Sequence, residues 1–152
     1  MAIEAPLSKY KKNSFKIGIV ILIGLAIWFA YDGYRNEKFI QKHTDQNGTP
    51  DSTLVFNRKS PPYLIGAAVL LGVYLFVIKG KKVVADENSL VIGRRQIAYD
   101  SIEKIDKTHF DSKGYFIITY KDYQGVDADL KLSDGTYDNL SEVLDKLIAE
   151  IS

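Results

Sequence analysis

Few side chains in this chain of 152 residues combine the type and the spacing that chemistry requires. There are two histidines, His43 in a polar loop and His109 in a β-prone segment beside Phe110 and Asp111. Neither belongs to a His-x-x-x-His or Glu-x-x-His spacing, and no acidic ligand cluster accompanies them. Each therefore reads as a surface or strand-end histidine rather than a metal ligand or a base. Asp127 and Asp129 could act as an acid and base pair, because alternate strand residues share one face. Their alternation with Val126, Ala128 and Leu130 is equally that of a solvated strand face, and it implies no pocket. Ser89, Ser101 and Ser112 lack the strained turn that presents a serine nucleophile. Gly24 and Gly72 are isolated, so no glycine-rich loop cradles a phosphate. The absence of cysteine removes disulfides, thiolate metal sites and a thiol nucleophile. The expectation is a non-enzymatic protein with no catalytic residue, no metal, no cofactor and no evident small-molecule substrate.

The elements that would have to position any chemistry are of two kinds. Residues 17–31 and 61–78 form two charge-free apolar runs. The second, about 18 residues, approaches the roughly 20 that cross a bilayer core of about 30 Å. The first is about 15 residues, or about 22 Å of helix, and reaches spanning length if Phe15 and Lys16 join it, the lysine extending its ammonium toward the headgroups. A span must satisfy its own backbone groups, so both runs are expected to be helices. Trp28, Tyr31 and Tyr34 at the exit of the first, with Phe29, and Tyr63 at the entry of the second are placed as interfacial anchors. Ser60-Pro61-Pro62 reads as the start of the second helix, a hydroxyl cap followed by proline. A secretory signal peptide is the alternative for the first run, but Trp28 and Phe29 before Ala30 make a poor cleavage site. Gly24, Gly66, Ala68 and Gly72, with Gly18, supply small surfaces for close helix packing. No charged residue lies mid-span, so no ion or proton path is marked.

Lys9, Lys11, Lys12 and Lys16 precede the first run. Lys79, Lys81 and Lys82 follow the second, with Arg94 and Arg95 beyond. This bias favours both termini in the cytoplasm, although Arg35, Lys38, Lys42, Arg58 and Lys59 lie between the runs. The host is read as bacterial and the membrane as the inner one. The division expected is a basic cytoplasmic N-terminus at 1–14, helices at 15–34 and 61–78, an external loop at 35–60 and a cytoplasmic domain at 79–152. Lys79, Lys81, Lys82, Arg94 and Arg95 are candidates for contact with inner-leaflet lipid. A net charge of +1 gives no case for nucleic acid. In the loop, residues 34–46 could extend the first helix until Asn47-Gly48-Thr49-Pro50-Asp51 breaks it.

From residue 81 the pattern switches to short β-prone runs, at about 82–86, 89–92, 96–99, 102–110, 115–121 and 126–132, separated by turn chemistry. Leu140, Val143, Leu144, Leu147, Ile148 and Ile151 then fall on one face of a helix, with Thr136 or Asp138 as its cap. That stripe needs a sheet to cover. The tail is expected to fold by itself as a small mainly-β, or α+β, domain, an antiparallel barrel or sandwich closed by the helix.

Six or seven strands and one C-terminal amphipathic helix resemble a bacterial pleckstrin-homology-like domain, with residues 95–105 carrying most of the likeness. A membrane helix pair ahead of such a domain is similar to bacterial membrane proteins of that family. The resemblance implies a scaffold that binds proteins or lipids. In eukaryotic relatives a basic loop after the first strand grips phosphoinositide headgroups. The corresponding turn here, Asp86-Glu87-Asn88, is acidic and would repel phosphate. The expected function is a membrane scaffold or accessory subunit that binds lipids and other integral membrane subunits, with a peripheral sensor of anionic lipid as the alternative.

Overall fold

A computed structural model describes residues 1–152, in two units: Met1–Lys12 with Ile78–Ser152, and Asn13–Val77. The first is a sheet unit and its opening strand is a departure from expectation. Residues 1–14 read as a basic N-terminus apart from the 79–152 domain, yet β1 (Ile3–Pro6) pairs antiparallel with β2 (Lys82–Ala85), Ile3 opposite Ala85 and Pro6 opposite Lys82. The reason is a short alternation: Ala5 and Leu7 are buried, Ile3 packs on the core, and Glu4 points out to an ion pair with Lys82 at 2.7 Å. Pro6 is tolerated because β1 lies at the edge of its sheet. The tail from residue 79 is therefore not the whole domain.

The sheet continues through β3 (Ser89–Ile92) and β4 (Arg95–Ala98), all antiparallel in the order β1-β2-β3-β4. A single 3-10 turn, Tyr99–Ser101, leads to the second sheet, β5 (Ile102–Asp106), β6 (Tyr115–Lys121) and β7 (Asp127–Ser133), also antiparallel. The expected strand at 102–110 ends early, and α4 (Phe110–Lys113) occupies its far end. Its unclean alternation has a cause: the register slips between Ile102 and Lys104, and the bulge lets Ile102 and Ile105 both turn inward opposite Tyr120 and Ile118. Phe116 and Ile118 from β6 are fully buried with Val83, Ala85 and Leu90 from the first sheet.

The last helix, α5 (Leu140–Ile151), closes this core with Leu140, Val143, Leu144 and Leu147, all buried. Its cap is not Thr136 or Asp138. Asn139 holds that place with φ 62° and no side-chain bond, a backbone region that asparagine tolerates. Asp138 serves elsewhere: its carboxylate accepts from the amide of Lys9 at 3.1 Å, at the start of α1 (Lys9–Tyr34). Ser8, 1% exposed, completes that start. Its hydroxyl accepts from the Lys11 amide at 3.1 Å and donates to the Gly135 carbonyl at 2.8 Å.

In the helical unit, α1 is followed by α2 (Glu37–Lys42) and α3 (Ser52–Ile78). The polar stretch after Tyr34 does not prolong α1. The chain turns at Arg35 and Asn36, and the Asn36 side chain caps α2 by accepting from Phe39 N. Nor does α3 begin at Ser60. Asp51 caps a helix that starts at Ser52, accepting from Leu54 N at 2.9 Å, and Pro61 and Pro62 lie inside it.

A candidate membrane hairpin and a basic groove

Both α1 and α3 are long and apolar enough to cross a membrane. At 1.5 Å per residue each extends about 40 Å, more than the hydrocarbon thickness requires. Large side chains stand outward along both, Ile17, Val20, Ile27 and Trp28 on one, Tyr63, Val69, Leu70 and Phe76 on the other. Water would penalise so much apolar surface, and lipid would not. Of the anchors read from sequence, Trp28, Tyr31, Tyr34 and Tyr63 are all exposed.

The two helices run antiparallel. Phe15 lies against Tyr74, with ring centroids 5.3 Å apart, and Phe29 against Phe56 at 5.7 Å. Of the small residues proposed to mediate packing, Ala68 is buried, and a side chain at Gly72 would stand 4.0 Å from Ile19. Gly24 and Gly66 face open space. The close approach is at Gly33, which that reading missed: a Cβ there would stand 3.0 Å from Arg58 Cγ and 3.2 Å from the α3 backbone. The sequence signal was Gly33 next to a tyrosine, with two prolines one turn beyond Arg58. Pro62 has no amide to give the carbonyl of Arg58, four residues earlier, and Tyr34 Oη donates to that oxygen at 3.1 Å. Arg58 returns the contact, its Nε donating to the Gly33 carbonyl at 2.8 Å while its guanidinium lies 5.8 Å from the Tyr34 ring centroid. Two prolines inside a helix become tolerable because a neighbour satisfies the carbonyl one of them orphans.

In the sheet unit the strand register assembles a basic end. Pro6 opposes Lys82, Val83 opposes Ile92, and Ile92 opposes Arg95. The start of α1, the end of α3 and the β3–β4 turn therefore emerge from one end of the sheet. Gly93, with φ 60°, makes that turn and presents Arg94. A groove of about 690 Å³ lies there, lined by Lys81, Ile92, Gly93, Arg94, Arg95, Tyr123 and Tyr137. Burial pushes the Tyr137 phenol up, so it stays a neutral donor. Arg95 continues the inward row of Ile97 and reaches Tyr120 Oη at 3.4 Å. Lys82 is not part of this groove, since Glu4 holds its ammonium on the outer face. The other ion pairs of the unit join Lys121 to Asp127 and to Glu103, leaving Lys81, Arg94 and Arg95 without a carboxylate partner. Asp86-Glu87-Asn88 joins β2 to β3, so it is not the connection after the first strand; that connection contains both long helices.

The residues weighed for catalysis do not converge. In the helical unit, His43 Nδ1 lies 2.7 Å from Asp51 Oδ2, and the His43 ring packs at a tilt against Phe39. The Leu54 amide, then His43, hold the Asp51 carboxyl below its usual range. His109 packs on Tyr115 at the start of α4. Asp127 is exposed and paired with Lys121, which lowers the carboxyl and raises the ammonium. Asp129 accepts from Thr119 Oγ1 at 2.7 Å. Ser101 donates to the Ala98 carbonyl, and the buried Ser89 accepts from Gln96. No three His, Cys, Asp or Glu side chains gather into a metal-sized cluster.

Set against known proteins, the chain matches no family model, no curated protein and no solved structure.

Proposed function

We propose that the chain is a two-span protein of the bacterial inner membrane. It acts without catalysis as a scaffold or accessory subunit of a larger membrane assembly, with both termini in the cytoplasm. The observation that carries this reading is the insertion of two outward-apolar helices between adjacent, paired strands, β1 and β2. That pairing supports a common side for the two ends, because the strand before the first long helix and the strand after the second belong to one sheet. Seven strands divided four and three, with a C-terminal helix over them, support the pleckstrin-homology-like resemblance, β1 supplying the strand that the tail alone lacks. On this reading the domain binds partners while the hairpin holds it at the bilayer and packs against other integral subunits.

Purification in mild detergent tests the proposal. A stoichiometric membrane partner is expected, and recovery as a lone monomer counts against it. A reporter after Ser152 should be cytoplasmic and one inserted near Gly48 external; opposite labelling would reverse the orientation. The uncompensated charge of Lys81, Arg94 and Arg95 favours a second reading, a sensor of anionic lipid. It requires salt-sensitive contact with anionic bilayers.

A further inference from the structure

Tyr123 is 97% exposed, at the tip of the turn between β6 and β7. The turn is stiff. Asp122 Oδ1 accepts from the amides of Gln124 and Val126 at 2.8 and 2.9 Å, and Gly125 N returns to the Asp122 carbonyl at 3.0 Å. Tyr123 is thus presented, with Val126 also 57% exposed on the same turn. The ring borders the groove that holds Lys81, Arg94 and Arg95, at the end of the sheet from which α1 and α3 leave. No carboxylate lines the groove: Asp122 on the turn accepts from the turn's own amides, and Asp138 on the adjoining loop accepts from the Lys9 amide.

An amphipathic ring set beside unpaired cations is rewarded at a bilayer surface, where the ring lies among headgroups and the cations meet phosphate. We infer that the β6–β7 and β3–β4 turns form a second membrane contact, with Tyr123 and Val126 entering the interfacial layer of an anionic bilayer while Lys81, Arg94 and Arg95 engage its phosphates. The occupant is lipid rather than protein because the groove's charge complements an anionic leaflet and its rim is covalently continuous with the two apolar helices. The inference rests on reading α1 and α3 as spans. It adds a turn distant in sequence to the juxtamembrane lysines.

The chain has no cysteine, so single-cysteine variants can be labelled uniquely. Full-length Tyr123→Cys carries an environment-sensitive fluorophore in nanodiscs of phosphatidylglycerol or of phosphatidylcholine. Ser112→Cys, before the opposite end of β6, and Val20→Cys, outward on α1, are labelled in parallel. In the anionic discs the Tyr123 label should shift to the blue and be quenched by spin-labelled lipid, while the Ser112 label stays water-like. Arg94→Gln or Lys81→Gln should each lower the contacting population about fivefold, as high salt should too. A water-like Tyr123 label beside a quenched Val20 label overturns the inference and leaves the hairpin reading standing. A water-like Val20 label overturns both. A Tyr123 label shielded equally in the two lipids, without lipid quenching, overturns the inference in favour of a protein contact.

Discussion

Helix α5 and the pair α1 and α3 spend similar side chains in opposite ways. On α5 the apolar residues form one stripe, with Val143 and Leu147 fully buried and Ser141, Glu142 and Asp145 exposed on the other side. On α1 and α3 they surround the helix, and most face outward. Confinement to one face shows that α5 is solvated on the other, whereas a surface apolar all round calls for cover on every side, by lipid or by other protein. A second contrast lies within the hairpin. Its middle makes ordinary van der Waals contacts, while at Gly33 the backbones approach and hydrogen bonds cross between helices.

The sharpest way to break the first contrast is a carboxylate in each helix. Leu144→Asp should unfold the sheet unit, at a cost of about 3 to 5 kcal/mol for an uncompensated buried charge, read as loss of the thermal transition. Leu70→Asp, on the outward face of α3, should leave that transition alone and cost membrane insertion about 3 kcal/mol, read in an insertion assay. Normal insertion would mean that this face does not meet lipid.

Ala5→Asp asks whether β1 belongs to the core as α5 does. Ala5 has no exposure, and the variant should lower stability by about 3 kcal/mol in full-length protein. An unchanged melt would detach β1 from the domain. The second contrast is sharpened by placing leucine at two glycines. Gly33→Leu must push against Arg58 and should cost about 1 to 3 kcal/mol, read by detergent stability of the hairpin, whereas Gly24→Leu should be neutral. Tyr34→Phe is gentler, since it removes only the donor to the Arg58 carbonyl, and about 1 kcal/mol is expected.

The smallest effect is expected at the cap of α3. The Asp51 carboxyl is held below 3.8 by the Leu54 amide and His43, so its contribution is present above the unfolded pKa and is lost as pH falls through the lower folded value. Protection factors at Thr53 to Val55, with exchange normalised to the intrinsic rate at each pH, should fall in that acidic window and remain flat above it. In the sheet unit the sign runs the other way at high pH. Burial first, then the charges of Glu150 and Asp86, push the Tyr99 phenol up to about 12, so it stays neutral after an unfolded tyrosine has ionised. Stability should fall as pH rises from 10 toward 12.

Much of this architecture was legible in local pattern. Two long helices, the strands from Lys82 onward and the stripe of α5 follow from residue type and periodicity, because each repeats a signal over many positions. Three features had no such signal. The alternation of Ile3, Ala5 and Leu7 is brief and contains a proline, so only a partner strand far along the chain makes it a strand. Ser60-Pro61-Pro62 has the chemistry of a helix start, and it became helix interior because Tyr34 supplies the hydrogen bond that Pro62 withholds. Asp138 looked like the cap of the helix after it, and it caps α1 instead. The basic groove was legible in part: Lys81, Arg94 and Arg95 already read as candidates for one lipid contact, but the place of Tyr123 beside them, on a separate connection, had no local signal. Composition and periodicity by themselves determined which segments are apolar, which way they coil and which face they bury, since those depend on neighbours in sequence. Tertiary structure alone decided which strand begins the sheet, where the two long helices touch and which charges share a surface, because those depend on hydrogen-bond partners and register between residues that the sequence holds far apart.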